Sequence, residues 1–258
     1  MKSLTEIANY YGTDKGTLGP SWSYGSHNYT DIYEAYFSSF RLKSINILEI
    51  GIGAIGKMWD ARIVHGRNIE GGASIKMWSE YFPYATIFAI DINEASYLDN
   101  NRVHTFVVDQ GNPDEIRKFL KKIGNTMFDF IIDDGSHRPD HQQVSLGLLF
   151  PQLKAGGLYF IEDLDNNGIE DRAKGRHISD KVYNTRKVLR HFLENKKFLE
   201  PNILIDPTYL EKNISDIFFH APLHRIVPLA ILNRILKKRG IIVQSHLNTE
   251  RLCAIRKM

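Results

Sequence analysis

Short apolar runs recur along the chain and stop abruptly at glycine or at acids, at residues 45–50, 86–91, 105–108, 128–133 and 158–161. Continuous apolar runs of this length mark strands covered on both faces. Segments with helical spacing precede the first run, at 30–40, and lie between the others, at 71–82, 114–123 and 141–150. Strand alternating with helix predicts a doubly wound, mostly parallel α/β sheet. Thr30 reads as the N-cap of its helix, and Tyr33 and Tyr36 as an aromatic stripe packed on the sheet. Past Leu164 the texture changes to a turn-rich stretch, a basic loop at 172–177 and an amphipathic helix at 180–194. Two further strands follow, at 214–220 and 252–256. Between these lies 229–239, apolar on one side and basic at its end, which suits packing against its own domain or another subunit better than a membrane surface.

The acids fall at the strand ends. In an open parallel sheet the carboxyl ends of the strands form the ligand crevice, so Asp133, Asp134, His137, Glu162 and Asp163 are expected on one rim. Gly51-x-Gly53-x-x-Gly56 follows the first strand and matches a dinucleotide glycine pattern only in part, because the next helix starts near residue 71. Asp91 ends the second strand, where an acid can accept both hydroxyls of an adenosyl ribose. The pattern therefore indicates a nucleoside cofactor and leaves its identity open. Asp109 and Gln110 follow the third strand, placed to read an adenine edge; the alternative is a loop that caps the next helix. Gly12-Thr-Asp-Lys-Gly16 suits either a loop closing over a ligand or a solvated turn.

Composition narrows the class. At 258 residues, 43% hydrophobic and 24% charged, the chain fits one globular domain with embellishments. A net charge of +3, from 33 basic and 30 acidic residues, does not argue for a nucleic-acid groove. The single cysteine, Cys253, excludes an internal disulfide and a cysteine-based zinc site. No signal-peptide or membrane-length apolar run is present, so the cytoplasm is the expected location.

Taken in order, Leu48-Glu-Ile-Gly-Ile-Gly53, Gly71-Gly-Ala-Ser-Ile-Lys-Met-Trp78, Ala89-Ile-Asp-Ile92, Asp109-Gln110, Ile132-Asp-Asp-Gly-Ser-His137 and Ile161-Glu-Asp-Leu164 resemble the class I S-adenosylmethionine methyltransferases. The likeness is to the metal-dependent macrolide-sugar O-methyltransferases and spans roughly residues 8–165. It implies a Rossmann-like seven-stranded sheet with one reversed strand, an N-terminal helical, cofactor-closing segment over 1–43, and a methyltransferase domain over 44–258 with an insertion at 221–250. It implies S-adenosylmethionine contacts from Thr13, Lys15, His27, Tyr29, Glu49, Gly51, Gly53, Asp91, Ile92, Asp109, Gln110 and Asp133. It also implies Mg2+ on Asp134 and Asp163, with Glu49 as a further candidate ligand, and His137 as the base. The acceptor implied is a hydroxyl of a sugar or glycosylated molecule, methylated by a homo-oligomer with a subunit contact near 225–236.

An alcohol is a poor nucleophile until its proton is removed or its pKa lowered. A hard cation on Asp134 and Asp163 supplies the second, and an imidazole three residues past Asp134 the first. Two other classes compete: an iron hydroxylase using Asp134, His137 and His141 as a facial triad, and a nucleoside-cofactor-binding protein without catalysis or with nicotinamide chemistry.

Overall fold

The computed structural model describes residues 1–18, 27–53, 71–164, 182–222 and 250–258. Strands β1 (Asn46–Ile50), β2 (Thr86–Asp91), β3 (Val103–Val107), β4 (Phe128–Asp133), β5 (Leu153–Ile161), β6 (Ile214–His220) and β7 (Leu252–Lys257) form one seven-stranded sheet. Their order is β3-β2-β1-β4-β5-β7-β6, with β7 antiparallel to both neighbours and the remaining pairs parallel. The order reverses between β1 and β4, so the crevice of the sheet opens beside Gly51 and Asp134. This is the predicted architecture.

Two apolar layers cover the sheet. On one face α1 (Leu4–Tyr11), α2 (Thr30–Phe37) and α3 (Ala73–Tyr81) bury Ile7, Tyr33, Phe37 and Trp78 against Ile47, Phe130, Ile132 and Phe160. The Phe37 ring lies 4.4 Å from that of Phe130 and 5.3 Å from that of Phe160. The N-terminal segment is thus built into the main core. On the other face α4 (Pro113–Ile123), α5 (Pro139–Leu149), α6 (Thr185–Asn195) and α7 (Pro207–Asn213) cover Leu48, Ile131, Tyr159 and Ile255. Strand alternation, with a period of two residues, sends neighbours to opposite layers. Phe130 and Ile132 face α2, while Ile131 faces α5.

Several boundaries differ from the sequence reading. Helix α1 was not anticipated, although Ser3 and Glu6 form a reciprocal capping box at its start. Thr30 does not cap α2. Tyr29 holds that position without a side-chain capping bond to the helix, and the Thr30 hydroxyl pairs with that of Thr5 at 2.8 Å. Strand β5 begins at Leu153, ahead of the apolar run at 158–161, and takes in Gly156 and Gly157. The short α7, started by Pro207 with Asp206 as its cap, was also missed. Gly56, the basic loop at 172–177 and the segments 225–236 and 229–239 lie outside the described residues. No helix among the described residues is long and apolar enough to cross a membrane.

Candidate active site

Parallel register assembles the acids. Glu49 of β1 pairs with Ile132 of β4, and Asp133 pairs with Ile161 of β5. One residue beyond those pairs, the Asp134 amide donates to Ile50 O (2.9 Å) and the Glu162 amide to Asp133 O (2.9 Å). Alternation then turns Glu49, Asp134 and Glu162 toward the layer holding α2. It sends Asp133 to the α5 layer.

The first group closes on Lys15. This lysine is fully buried, and its Nζ donates to Asp134 Oδ2 and to Glu162 Oε1 (2.8 Å), with Glu49 Oε1 at 3.8 Å. Tyr33 Oη donates to the same Glu162 oxygen at 2.6 Å, and Ser74 Oγ donates to Glu49 Oε2 at 2.9 Å. Tyr33, read as packing, is thus both a core side chain and a ligand of the acid cluster. Burial pushes the Glu49 pKa up to about 7, against the pull of Lys15, and with the help of Asp134 raises Glu162 well above its ordinary value. Burial also raises Asp134, partly offset by Lys15. On Lys15 itself, burial is outweighed by Asp134, Glu162 and Glu49, so its ammonium holds its proton strongly.

Next to it stands a second group. Asp134, His137 and Asp163 each offer an atom within 4.8 Å of the others, a spacing able to hold one metal ion. Tyr29 Oη donates to Asp163 Oδ1 at 2.7 Å, and the Arg251 guanidinium donates to the same oxygen at 2.6 Å. Burial alone would raise Asp163, but His137, His27 and Arg251 together with the Tyr29 bond hold its carboxyl well below the usual range. It is therefore an anion at neutral pH. His137 and Asp163 both adopt left-handed backbone, at φ 57° and 51°, a conformation that Asp and His tolerate better than most residues and that concentrates at functional turns.

The donor set fits a hard divalent cation. Among the described residues, four carboxyl groups, those of Glu49, Asp134, Glu162 and Asp163, meet two fixed cations, Lys15 and Arg251, and burial raises Glu49, Asp134 and Glu162, the signature of acids short of positive charge. Glu49 Oε1, Glu162 Oε2 and His137 Nδ1 are buried without a hydrogen-bond partner. Buried acceptors in an anionic cluster invite a cation. Glu49 is outside the closely spaced set and across Lys15 from it. His141 is outside it too: its Nδ1 pairs with Ser136 Oγ at 2.9 Å. The facial triad of Asp134, His137 and His141 does not form.

The cofactor candidates divide. The Gly51 amide donates to Ile90 O, and its φ of 78° requires glycine; an added Cβ would lie 2.4 Å from Asp134 O. Gly53 (φ 63°) has no described residue within 4 Å of the place its Cβ would take. Asp91 ends β2 with Oδ2 accepting from the Ile52 amide (3.0 Å) and Oδ1 from the Asn93 amide (2.8 Å), and Ile92 beside it is 65% exposed. Asp109 Oδ1 accepts from the Gly111 amide, the loop-capping alternative. Gln110 and Asp133, expected to contact the cofactor, are turned inward. The Gln110 amide donates to Asp133 Oδ1 (2.6 Å) and accepts from the Ser136 amide (3.0 Å), and Asp133 also takes Ser145 Oγ. Both side chains are consumed in bracing the His137 loop. Thr13 is buried in the turn before Lys15, and His27 Nδ1 lies 3.8 Å from Asp163.

Sequence reasoning missed Arg251, Ser74 and Tyr33 as site residues and left Glu162 without a role. A signal existed for Tyr33: with Tyr29 and Phe37 it forms a buried stripe at four-residue spacing, and a hydroxyl in such a stripe needs a partner.

The Rossmann-like sheet with a reversed seventh strand and an acidic rim is shared with solved methyltransferase structures. Structures of the MycE methyltransferase of mycinamicin biosynthesis share it: one with Mg and S-adenosylhomocysteine superposes over 99% of this chain and 55% of its own, with a TM-score of 0.66 and 23% identity. Among curated proteins the chain is 35% identical over 167 residues to the 8-demethyl-8-alpha-L-rhamnosyl tetracenomycin-C 2'-O-methyltransferase of Streptomyces olivaceus, covering 65% of this chain and 39% of that protein. It is 36% identical to the demethylmacrocin O-methyltransferase of Streptomyces fradiae and 33% identical to the mycinamicin VI 2''-O-methyltransferase of Micromonospora griseorubida, each over 62% of this chain and 36% of the relative. The chain thus spans less than two fifths of the length of these relatives. No protein-family model matches it.

Proposed function

We propose that this protein is an S-adenosylmethionine-dependent, Mg2+-assisted O-methyltransferase acting on a hydroxyl of a sugar or glycosylated molecule. The observation that carries the reading is the convergence of Asp134, His137 and Asp163 within 4.8 Å, at the rim where β1 gives way to Gly51 and β2 ends at Asp91. The sugar O-methyltransferases it resembles in sequence support the choice of acceptor.

Asp91 would hold the ribose, Ile92 would cover the adenine with Asp109 nearby, and the turn at Gly51 and Gly53 would face the methionine part. The donor supplies a methyl group on a sulfonium. A divalent ion on Asp134 and Asp163, with the free oxygen of Glu162 beside them, would supply Lewis acidity to the acceptor hydroxyl. The protein does the rest. Tyr29 and Arg251 fix the Asp163 carboxylate, and Lys15 and Tyr33 fix Glu162. His137, whose Nδ1 has no hydrogen-bond partner, would accept the proton of the acceptor hydroxyl as its oxygen takes the methyl group and the donor is left as a thioether. Thr13 and His27 belong to the N-terminal loop that would shield this centre. The same reading puts the protein in the cytoplasm and makes it a homo-oligomer.

The test is transfer of labelled methyl from S-adenosylmethionine across a panel of glycosides, with and without EDTA. Transfer that EDTA stops and Mg2+ restores is expected. Transfer indifferent to EDTA and to Asp134→Asn would overturn the reading.

A further inference from the structure

Resting on that reading, a separate task falls to Lys15. A lysine with no solvent access, ending among acids from three strand ends, is not placed as a solvated turn residue. Its loop is pinned as well. Lys15 O accepts from the Thr30 amide (3.1 Å), Gly16 O accepts from the Asn28 amide (3.2 Å), and the Lys15 amide donates to Thr13 Oγ1 (3.4 Å). The ammonium therefore stays unless the whole loop opens.

Asp134 belongs to two sets at once. It takes the Lys15 ammonium, and it is one of the three residues spaced for a metal ion. A monocation and a dication sharing one carboxylate repel across a few ångströms of low-dielectric interior, where charges act far more strongly than in water. Without Lys15, the acids of β1, β4 and β5 would repel one another instead.

We propose that Lys15 is a resident counter-cation, a positioning residue that keeps Glu49, Asp134 and Glu162 assembled when no ion is bound and holds divalent-ion affinity down when one is. The N-terminal loop thereby sets how readily the ion exchanges.

The measurement is equilibrium Mn2+ binding, read as free Mn2+ by electron paramagnetic resonance without donor or acceptor, together with thermal melting across a Mn2+ series. Lys15→Met keeps the length and removes the charge. It is expected to bind Mn2+ about tenfold more tightly or better and to melt at a temperature that climbs with Mn2+ much more steeply than for the wild type. If Lys15→Met does not fold without metal, refolding of it or of Lys15→Gln on Mn2+ addition supports the proposal. Failure of both to refold reduces Lys15 to an ordinary structural ion pair and overturns it. So does a folded variant whose Mn2+ affinity equals or falls below that of the wild type, which leaves the metal reading standing. A wild-type protein that binds no Mn2+ sinks both.

Discussion

Replacing Gly51 by alanine isolates the geometric demand of the crevice, because Gly53 two residues on provides an internal control. Both glycines have left-handed backbone, at φ 78° and 63°. An L-residue there costs about 1–2 kcal/mol at either site. Among the described residues only Gly51 also meets an obstacle: its Cβ would lie 2.4 Å from both Asp134 O and Gly135 Cα, backbone atoms that a flexible side chain cannot relieve. Overpacking of this kind adds about 1–3 kcal/mol. Gly51→Ala is therefore expected to lose about 2–5 kcal/mol in urea unfolding, and Gly53→Ala about 1–2 kcal/mol. The reduced entropy of the unfolded alanine chain offsets both alike, so their difference stands. Because the strained atoms belong to the Asp134 loop, Gly51→Ala also weakens Mn2+ binding in calorimetry. Equal unfolding free energies for the two variants would refute the close approach of β1 and β4 ends on which the site rests.

His137→Ala is expected to cut turnover about 10²–10⁴-fold with S-adenosylhomocysteine binding retained in calorimetry; unchanged turnover removes it as the base. Tyr33→Phe deletes a hydrogen bond to a buried carboxyl group and is expected to cost about 1–3 kcal/mol in denaturant unfolding, where purely apolar packing would predict almost none. Burial lowers the pKa of His220, whose Nε2 pairs with Tyr36 Oη at 2.8 Å. A histidine depressed in the folded state is protonated preferentially in the unfolded chain, so its contribution is present above about pH 6.5 and lost as pH falls toward the folded pKa. His220→Gln is expected to flatten stability against pH below about 6.5; an unaltered slope counts against that burial.

The local pattern of the chain determined the sheet. Apolar runs of strand length ending in glycine or acid are a property of neighbouring residues, and Asp91, Asp134 and Asp163 are legible as rim residues because each terminates such a run. A capping box at Ser3 and Glu6 and a proline start at Pro207 were equally local, and were readable by the same rules. What only the tertiary structure decided is which face each side chain takes and which distant group meets it. Asp133 and Asp134 are adjacent in sequence, yet pleating sends one to brace Gln110 and Ser145 and the other to the cation cluster. Lys15 meets Asp134 and Glu162 across 119 and 147 residues, and Arg251 meets Asp163 across 88. Such pairings depend on strand register and helix docking, which no window of local sequence contains. Buried charge is stable only where they supply its partner.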